Sequence, residues 1–239
     1  MPSQLEIIAF NIESCRLAQS AGAHRIELCE NPGEGGTTPS FGFIKAARTI
    51  LSIQLYPIIR PRGGDFLYDE TEFDIMRRDV ILCRESGCDG VVLGLLRSNG
   101  TVDAEKCRQL VDLAYPLEVT FHRAFDRASD PFKALEDIIE TGCQRILTSG
   151  QKPMAIEGAE LIAALVRKAA DRVSIMPGSG VRADNIRLIA EKTHAVEFHS
   201  SARTFTESKM IYVNKEMKDD SRLVNVNSAE IKAMLTALK

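Results

Sequence analysis

Short apolar runs recur along the 239-residue chain, each followed by a segment whose apolar positions fall three and four apart. The runs read as strands: Leu5–Phe10, Arg25–Glu30, Gln54–Arg60, Gly90–Leu95, the stretch Glu118–Asp126 with Val119, Thr120 and Phe121 as its strand formers, Arg145–Thr148, Val173–Met176 and Ala195–His199. The intervening segments read as helices. Asn11 caps one that buries Cys15 and Ala18, and Ser40 caps one that runs to about Thr49. Phe73, Met76, Val80 and Cys83 form a clean stripe on the third, and Asp103 opens one carrying Cys107, Leu110 and Val111. Asp130-Pro131 and Gly142 bracket the next. Leu161, Ile162, Leu165 and Val166 mark another, Ile186 and Ile189 the next, and Ser228 is placed to cap a final short helix.

One local pattern repeats. Gly22-Ala23-His24-Arg25-Ile26, Gly87-Cys88-Asp89-Gly90-Val91 and Gly142-Cys143-Gln144-Arg145-Ile146 each put a glycine after a helix and a small residue before the next strand. The unit is about thirty residues long, the size of one strand–helix–strand step. Eight such steps predict a (β/α)8 TIM barrel, a single domain over residues 1–239. The barrel proper should span about 5–203, with a connector and short helix over about 204–239. A doubly wound open sheet would carry a glycine-rich fingerprint at its first turn, but that turn reads Phe10-Asn11-Ile12-Glu13.

Composition narrows the function classes. The net charge is −3 with both signs interspersed, which argues against a nucleic-acid protein. The N-terminus lacks a basic segment followed by an apolar one, and no apolar run reaches spanning length. A soluble intracellular protein is expected, with no membrane or nucleic-acid partner. The six cysteines are scattered without a C-x-x-C pair, so free thiols are expected.

Polar residues gather at the strand ends. With period-two alternation, Glu27 and Cys29 share one face of their strand, Thr120 and His122 share one face, and Glu197, His199 and Ser201 another. Arg60 ends the third strand. If the barrel closes, Arg60, His122 and His199 meet in its mouth, where barrel chemistry is done. Glu6, Glu27 and Glu197 sit earlier in their strands, where ion pairs with Arg60 or hydrogen bonds that tie the barrel together compete with a functional role. Gly178-Ser179-Gly180-Val181 lets backbone amides approach a ligand just before a helix, and Ser201 and Arg203 stand on the next strand end. That is an anion-binding arrangement, with Arg62 expected to face it beside Arg60.

Several blocks together resemble the CutC copper-homeostasis family. They are Arg25-Ile26-Glu27-Leu28-Cys29, Glu34 through Ser40, Ile59 through Phe66, Thr120 through Asp126, Leu147 through Gly150 and Glu197 through Arg203. The resemblance covers about residues 5–205. It implies a cytoplasmic TIM barrel, a homo-oligomer, and a link to copper. Cys29 is the family's inward cysteine and the expected metal ligand, since Cu(I) prefers thiolates. Where relatives carry a cysteine in the first strand, this chain has Ile8 and Ala9, so a two-thiolate site is not available.

Two functions follow. In one, the protein handles copper through Cys29. In the other it is an enzyme on a small anionic or phosphorylated metabolite, in which Glu27, Arg60, His122 and His199 are the catalytic candidates and Arg62, Gly178, Ser179, Gly180, Ser201 and Arg203 hold the anion.

Overall fold

The computed structural model describes residues 3–214, 216–217 and 220–239. Eight parallel strands alternate with helices. The strands are β1 (Gln4–Ala9), β2 (Arg25–Leu28), β3 (Gln54–Pro57), β4 (Gly90–Leu93), β5 (Glu118–Phe121), β6 (Arg145–Thr148), β7 (Ser174–Pro177) and β8 (Glu197–Ser200). The helices are α1 (Ile12–Ala21), α2 (Phe41–Ile50), α3 (Glu70–Glu85), α4 (Ala104–Ala114), α5 (Pro131–Thr141), α6 (Ala159–Ala169) and α7 (Ile186–Thr193). After β8 come a hairpin, β9 (Arg203–Thr206) with β10 (Leu223–Val226), and a last helix, α8 (Ser228–Ala237).

The fold is the expected (β/α)8 barrel. Ladders run β3-β2-β1-β8 and β4-β5-β6-β7, all parallel. An Ile58–Val92 bridge joins β3 to β4, and the Ile59 amide donates to the Val92 carbonyl at 2.7 Å. β7 and β8 pack along the remaining seam. Gly178 stands there, and a Cβ on it would come within 2.5 Å of Leu147 and 3.3 Å of His199. A side chain would push this seam apart.

The caps follow local chemistry. Asn11, Ser40, Asp103 and Asp130 each accept an amide from the first turn of their helix. Gly142 ends α5 at φ 87°, a left-handed position that L side chains resist. The last helix differs from expectation. Its cap is Asn227, whose side-chain oxygen accepts from Ala229 and Glu230, and Ser228 is already inside the first turn. α8 then packs against both α7 and α1, taking the eighth place in the outer ring. No helix among the described residues is long and apolar enough to cross a membrane.

Candidate active site

The barrel interior is layered by charge. At its lower end, Arg25 is buried and its guanidinium bonds Glu6 through Nε and Glu197 through Nη2, the latter at 2.8 Å. Arg145 donates to the same Glu197 oxygen, Oε2, at 2.5 Å and to Glu118 at 3.2 Å. Tyr56 donates to Glu118 at 2.5 Å, and both arginines stack near its ring. Glu6 and Glu197 therefore serve as ion-pair partners, as one of the two expectations had it, but their cations are Arg25 and Arg145, not Arg60. Neither arginine was singled out from the sequence. The signal was present: each lies three residues after a helix-ending glycine, in Gly22…Arg25 and Gly142…Arg145, and period two places Arg25 on the face of Glu27.

Above this layer opens a cavity of about 650 Å³. Glu27 and His199 line its floor. The His199 ring bonds the Glu6 carboxylate through Nδ1 at 2.7 Å and points Nε2 at the Glu27 carboxylate 3.7 Å away. Burial pushes the Glu27 carboxyl up, repulsion from Glu6 adds to this, His199 and Arg25 oppose it, and the result is about 7. Burial works against a charged His199, but its bond to Glu6 and the charge of Glu27 raise its pKa above the ordinary histidine value. Glu6 feels the same burial, yet Arg25 and His199 hold it ionised, well below the usual carboxylate range. Glu27 and His199 thus face each other across the cavity floor, the carboxyl raised to about 7 and the imidazole raised above its ordinary value.

His122 occupies the end of β5. Its Nδ1 accepts the Ala124 amide at 3.2 Å and its ring lies 4.9 Å from that of Phe66. Burial, and then the nearby Arg60 charge, lower its pKa to about 3. Arg60 lines the cavity too, but its terminal nitrogens are engaged with carbonyls of Glu34, Gly36 and Gly64 at 2.6–2.9 Å. It holds two mouth loops together and stacks over Phe66. The four catalytic candidates Glu27, Arg60, His122 and His199 are therefore brought into one cavity.

The anion-binding candidates divide. Ser179, Gly180, Ser201 and Arg203 line the cavity, joined by Arg123, Arg127 and Arg182. Arg127, Arg182 and Arg203 have no carboxylate partner among the described residues. Gly178 serves the β7–β8 seam instead, and its amide donates to the Thr148 carbonyl at 2.9 Å. Arg62 lies outside the lining, paired with Glu72 at 2.5 Å and Asp65 at 3.0 Å. The expected helix N-terminus is also displaced. α7 begins only at Ile186, and the Asn185 side chain donates back to the Gly180 carbonyl at 2.8 Å while accepting the Arg182 amide. A turn thus separates the glycine loop from the helix. Across the mouth, Asp126 accepts the amides of Ser149 and Gln151, the Thr148 and Ser149 hydroxyls and the Arg123 guanidinium, so that nest is filled by the protein's own carboxylate.

Cys29 is fully buried among Ile8, Tyr56, Ile58 and Val92, and a Cβ on Gly36 would meet its sulfur at 3.1 Å. It does not line the cavity. Burial, followed by the charges of Glu27 and Glu6, pushes its thiol well above the ordinary value. The one cluster with metal-binding spacing among the described residues is Glu6, Glu27 and His199, whose donor atoms lie within 4.8 Å. Its donors are oxygen and nitrogen, and Glu6 is already engaged by Arg25 and His199.

Two mouth groups pull stability in opposite directions with pH. His122 titrates near 3 when folded against 6.5 unfolded, so the unfolded chain binds the proton first and stability falls as pH drops below about 6.5. Glu27 titrates near 7 when folded against 4.5 unfolded, so the folded chain binds first and stability rises as pH drops from 7 towards 4.5. Between about pH 6.5 and 5 each contribution is roughly 1.5–2 kcal/mol, and together they nearly cancel. Urea unfolding across this window should be almost flat for the parent. Glu27→Gln should lose stability on acidification and His122→Asn should gain it. Equal slopes for the parent and both variants would contradict this balance.

The comparisons with known proteins agree on the fold. The CutC family model matches residues 3–204. A CutC protein of Chromobacterium violaceum is 55% identical over 212 residues, covering 89% of this chain and 86% of the relative. The crystal structure of a CutC protein from Streptococcus agalactiae, described in terms of copper homeostasis, superposes with a TM-score of 0.80 at 37% identity, over 83% of this chain and 98% of that one. Phosphoribosyl anthranilate isomerase from Thermotoga maritima shares the fold alone, with a TM-score of 0.63 at 12% identity over 99% and 98% of the two chains.

Proposed function

The chain belongs to the CutC family, and we propose that its barrel mouth is the active site of an enzyme that moves a proton on a small anionic metabolite. One observation carries this reading: Glu27, on the cavity floor, is held near 7 by burial and faces His199 at 3.7 Å. A carboxyl poised near neutrality gives and takes protons efficiently at cellular pH. Sustaining it requires a buried carboxyl with no arginine or lysine of its own, facing only a histidine, and such perturbed groups gather at functional sites. Glu6 is the positioning residue, since its bond to Nδ1 orients His199 and supports the imidazolium. Arg127, Arg182 and Arg203 supply positive charge at the rim for an anionic group, with the Ser201 hydroxyl beside them.

Copper, which the description of the Streptococcus agalactiae relative carries, fits Cys29 poorly. Cu(I) favours a thiolate with further soft donors. Here a single buried thiol is kept protonated by its surroundings and joins no cluster of three ligating side chains among the described residues.

A thermal-shift screen across phosphorylated and carboxylated metabolites, paired with mass spectrometry for deuterium uptake from D2O, tests the enzyme reading. At least one anion should raise Tm by mass action and exchange a carbon-bound hydrogen. Arg203→Ala should weaken the shift. An absence of both shift and uptake across the panel would end this reading.

A further inference from the structure

His122 lines the mouth, yet it is excluded from the proton traffic of Glu27 and His199 by its own geometry. Its Nδ1 accepts the Ala124 amide, so in the neutral ring the proton sits on Nε2. That Nε2–H is buried and has no hydrogen-bond partner. The ring orientation is set by packing: a Cβ on Gly94 would come within 2.6 Å of Nδ1, and the Phe66 ring packs against it with centroids 4.9 Å apart. A buried donor without an acceptor is costly, and on a side chain that lines a cavity it is a place where a ligand can supply the acceptor. Burial, and then the nearby Arg60 charge, keep the ring from taking a second proton. His122 therefore does not shuttle protons near neutrality; it carries one fixed, buried N–H without a partner on a side chain that lines the cavity.

Resting on the enzyme reading above, we infer that His122 Nε2–H is the electrophile that binds a substrate carbonyl oxygen, and that the substrates are anionic carbonyl compounds undergoing enolisation. β2 and β5 stand three strands apart in the ring, and Glu27 and His122 line the same cavity from those two strands. Glu27 takes the proton from the carbon next to the carbonyl. The C–H electron pair forms the carbon–carbon double bond, and the carbonyl π pair moves onto oxygen. The Nε2–H hydrogen bond, strengthened as that oxygen becomes anionic, holds the charge without giving up its proton. Protonated Glu27 then returns the proton to carbon, and no redox partner is needed. Phe66, which rests against both His122 and Arg60, is the side chain that moves to admit the oxygen.

The test has two parts. Side-chain 15N NMR of the parent should show His122 as the Nε2–H tautomer, unprotonated down to about pH 5. Deuterium uptake from D2O is then followed for phosphorylated and carboxylated aldehydes and ketones beside the matching alcohols, with the parent, His122→Phe and His122→Asn. Uptake should be confined to the carbonyl compounds. It should fall about 10²–10³-fold in His122→Phe and less in His122→Asn, which keeps a donor. Circular dichroism checks that the variants fold, and the tautomer together with His122→Asn decides the matter if the phenylalanine variant does not. An Nδ1–H tautomer, uptake into the alcohols, or full activity in His122→Phe overturns the role of His122 while leaving the enzyme reading intact. No uptake into any compound overturns both.

Discussion

Arg25→Met is expected to lower the unfolding free energy by about 3–5 kcal/mol. Arg25 is buried at the centre of the lower barrel, where it bonds Glu6 and Glu197. Methionine fills much of the same volume but removes the one cation shared by two carboxylates. Glu197 keeps Arg145, whereas Glu6, with no exposed side-chain surface, keeps only the His199 bond. The cost is the burial of a charge without its partner, so removing that charge should recover part of it. Arg25→Met with Glu6→Gln should be more stable than the sum of the single effects implies. Arg78→Met, which breaks a largely exposed pair with Asp74, should stay near the parent. Urea midpoints of the four variants measure all three expectations. An Arg25→Met midpoint equal to that of Arg78→Met would show that the lower ionic layer contributes nothing to holding the barrel.

Glu27→Gln should reduce deuterium uptake on any substrate found for the mouth by about 10²–10⁴-fold, the usual worth of a positioned acid–base group. Glutamine keeps the size and much of the hydrogen bonding of the side chain but cannot accept a proton from carbon. The thermal shift given by the same anion should survive, because the charged rim of Arg127, Arg182 and Arg203 lies on other elements. Loss of turnover with binding retained therefore distinguishes chemistry from capture. The pH profile adds a second readout. A rising limb near pH 7 in the parent reports the raised carboxyl, and it should vanish from the residual rate of Glu27→Gln. Equal uptake in parent and variant would remove Glu27 from the chemistry.

Much of this architecture was legible in the residue order. The eight strand runs, the caps at Asn11, Ser40, Asp103 and Asp130, and the buried stripe of Phe73, Met76, Val80 and Cys83 follow from local periodicity and capping, which need only near neighbours in the chain. Parity along each strand also put Glu27, His122 and His199 on inward faces, because successive side chains must alternate. The barrel interior is the union of those faces.

Partner choice was not legible, because it depends on register between strands far apart in sequence. Glu6 and His199 pair across β1 and β8, 193 residues apart, and Arg25 reaches Glu197 across 172. No local pattern says which of several inward arginines meets which carboxylate. The same holds for Arg62 and the Gly178 loop. Their composition suits an anion, but Arg62 meets Glu72 after the chain turns, and a turn through Asn185 carries the helix start away from the glycines. The sequence by itself determined the element order, the fold class and the set of inward polar residues, since these rest on periodicity and short-range hydrogen bonding. Only the tertiary structure decided which of those residues neutralise one another and which keep unmatched protons, because desolvation and charge pairing are set by the distances that closing the ring creates.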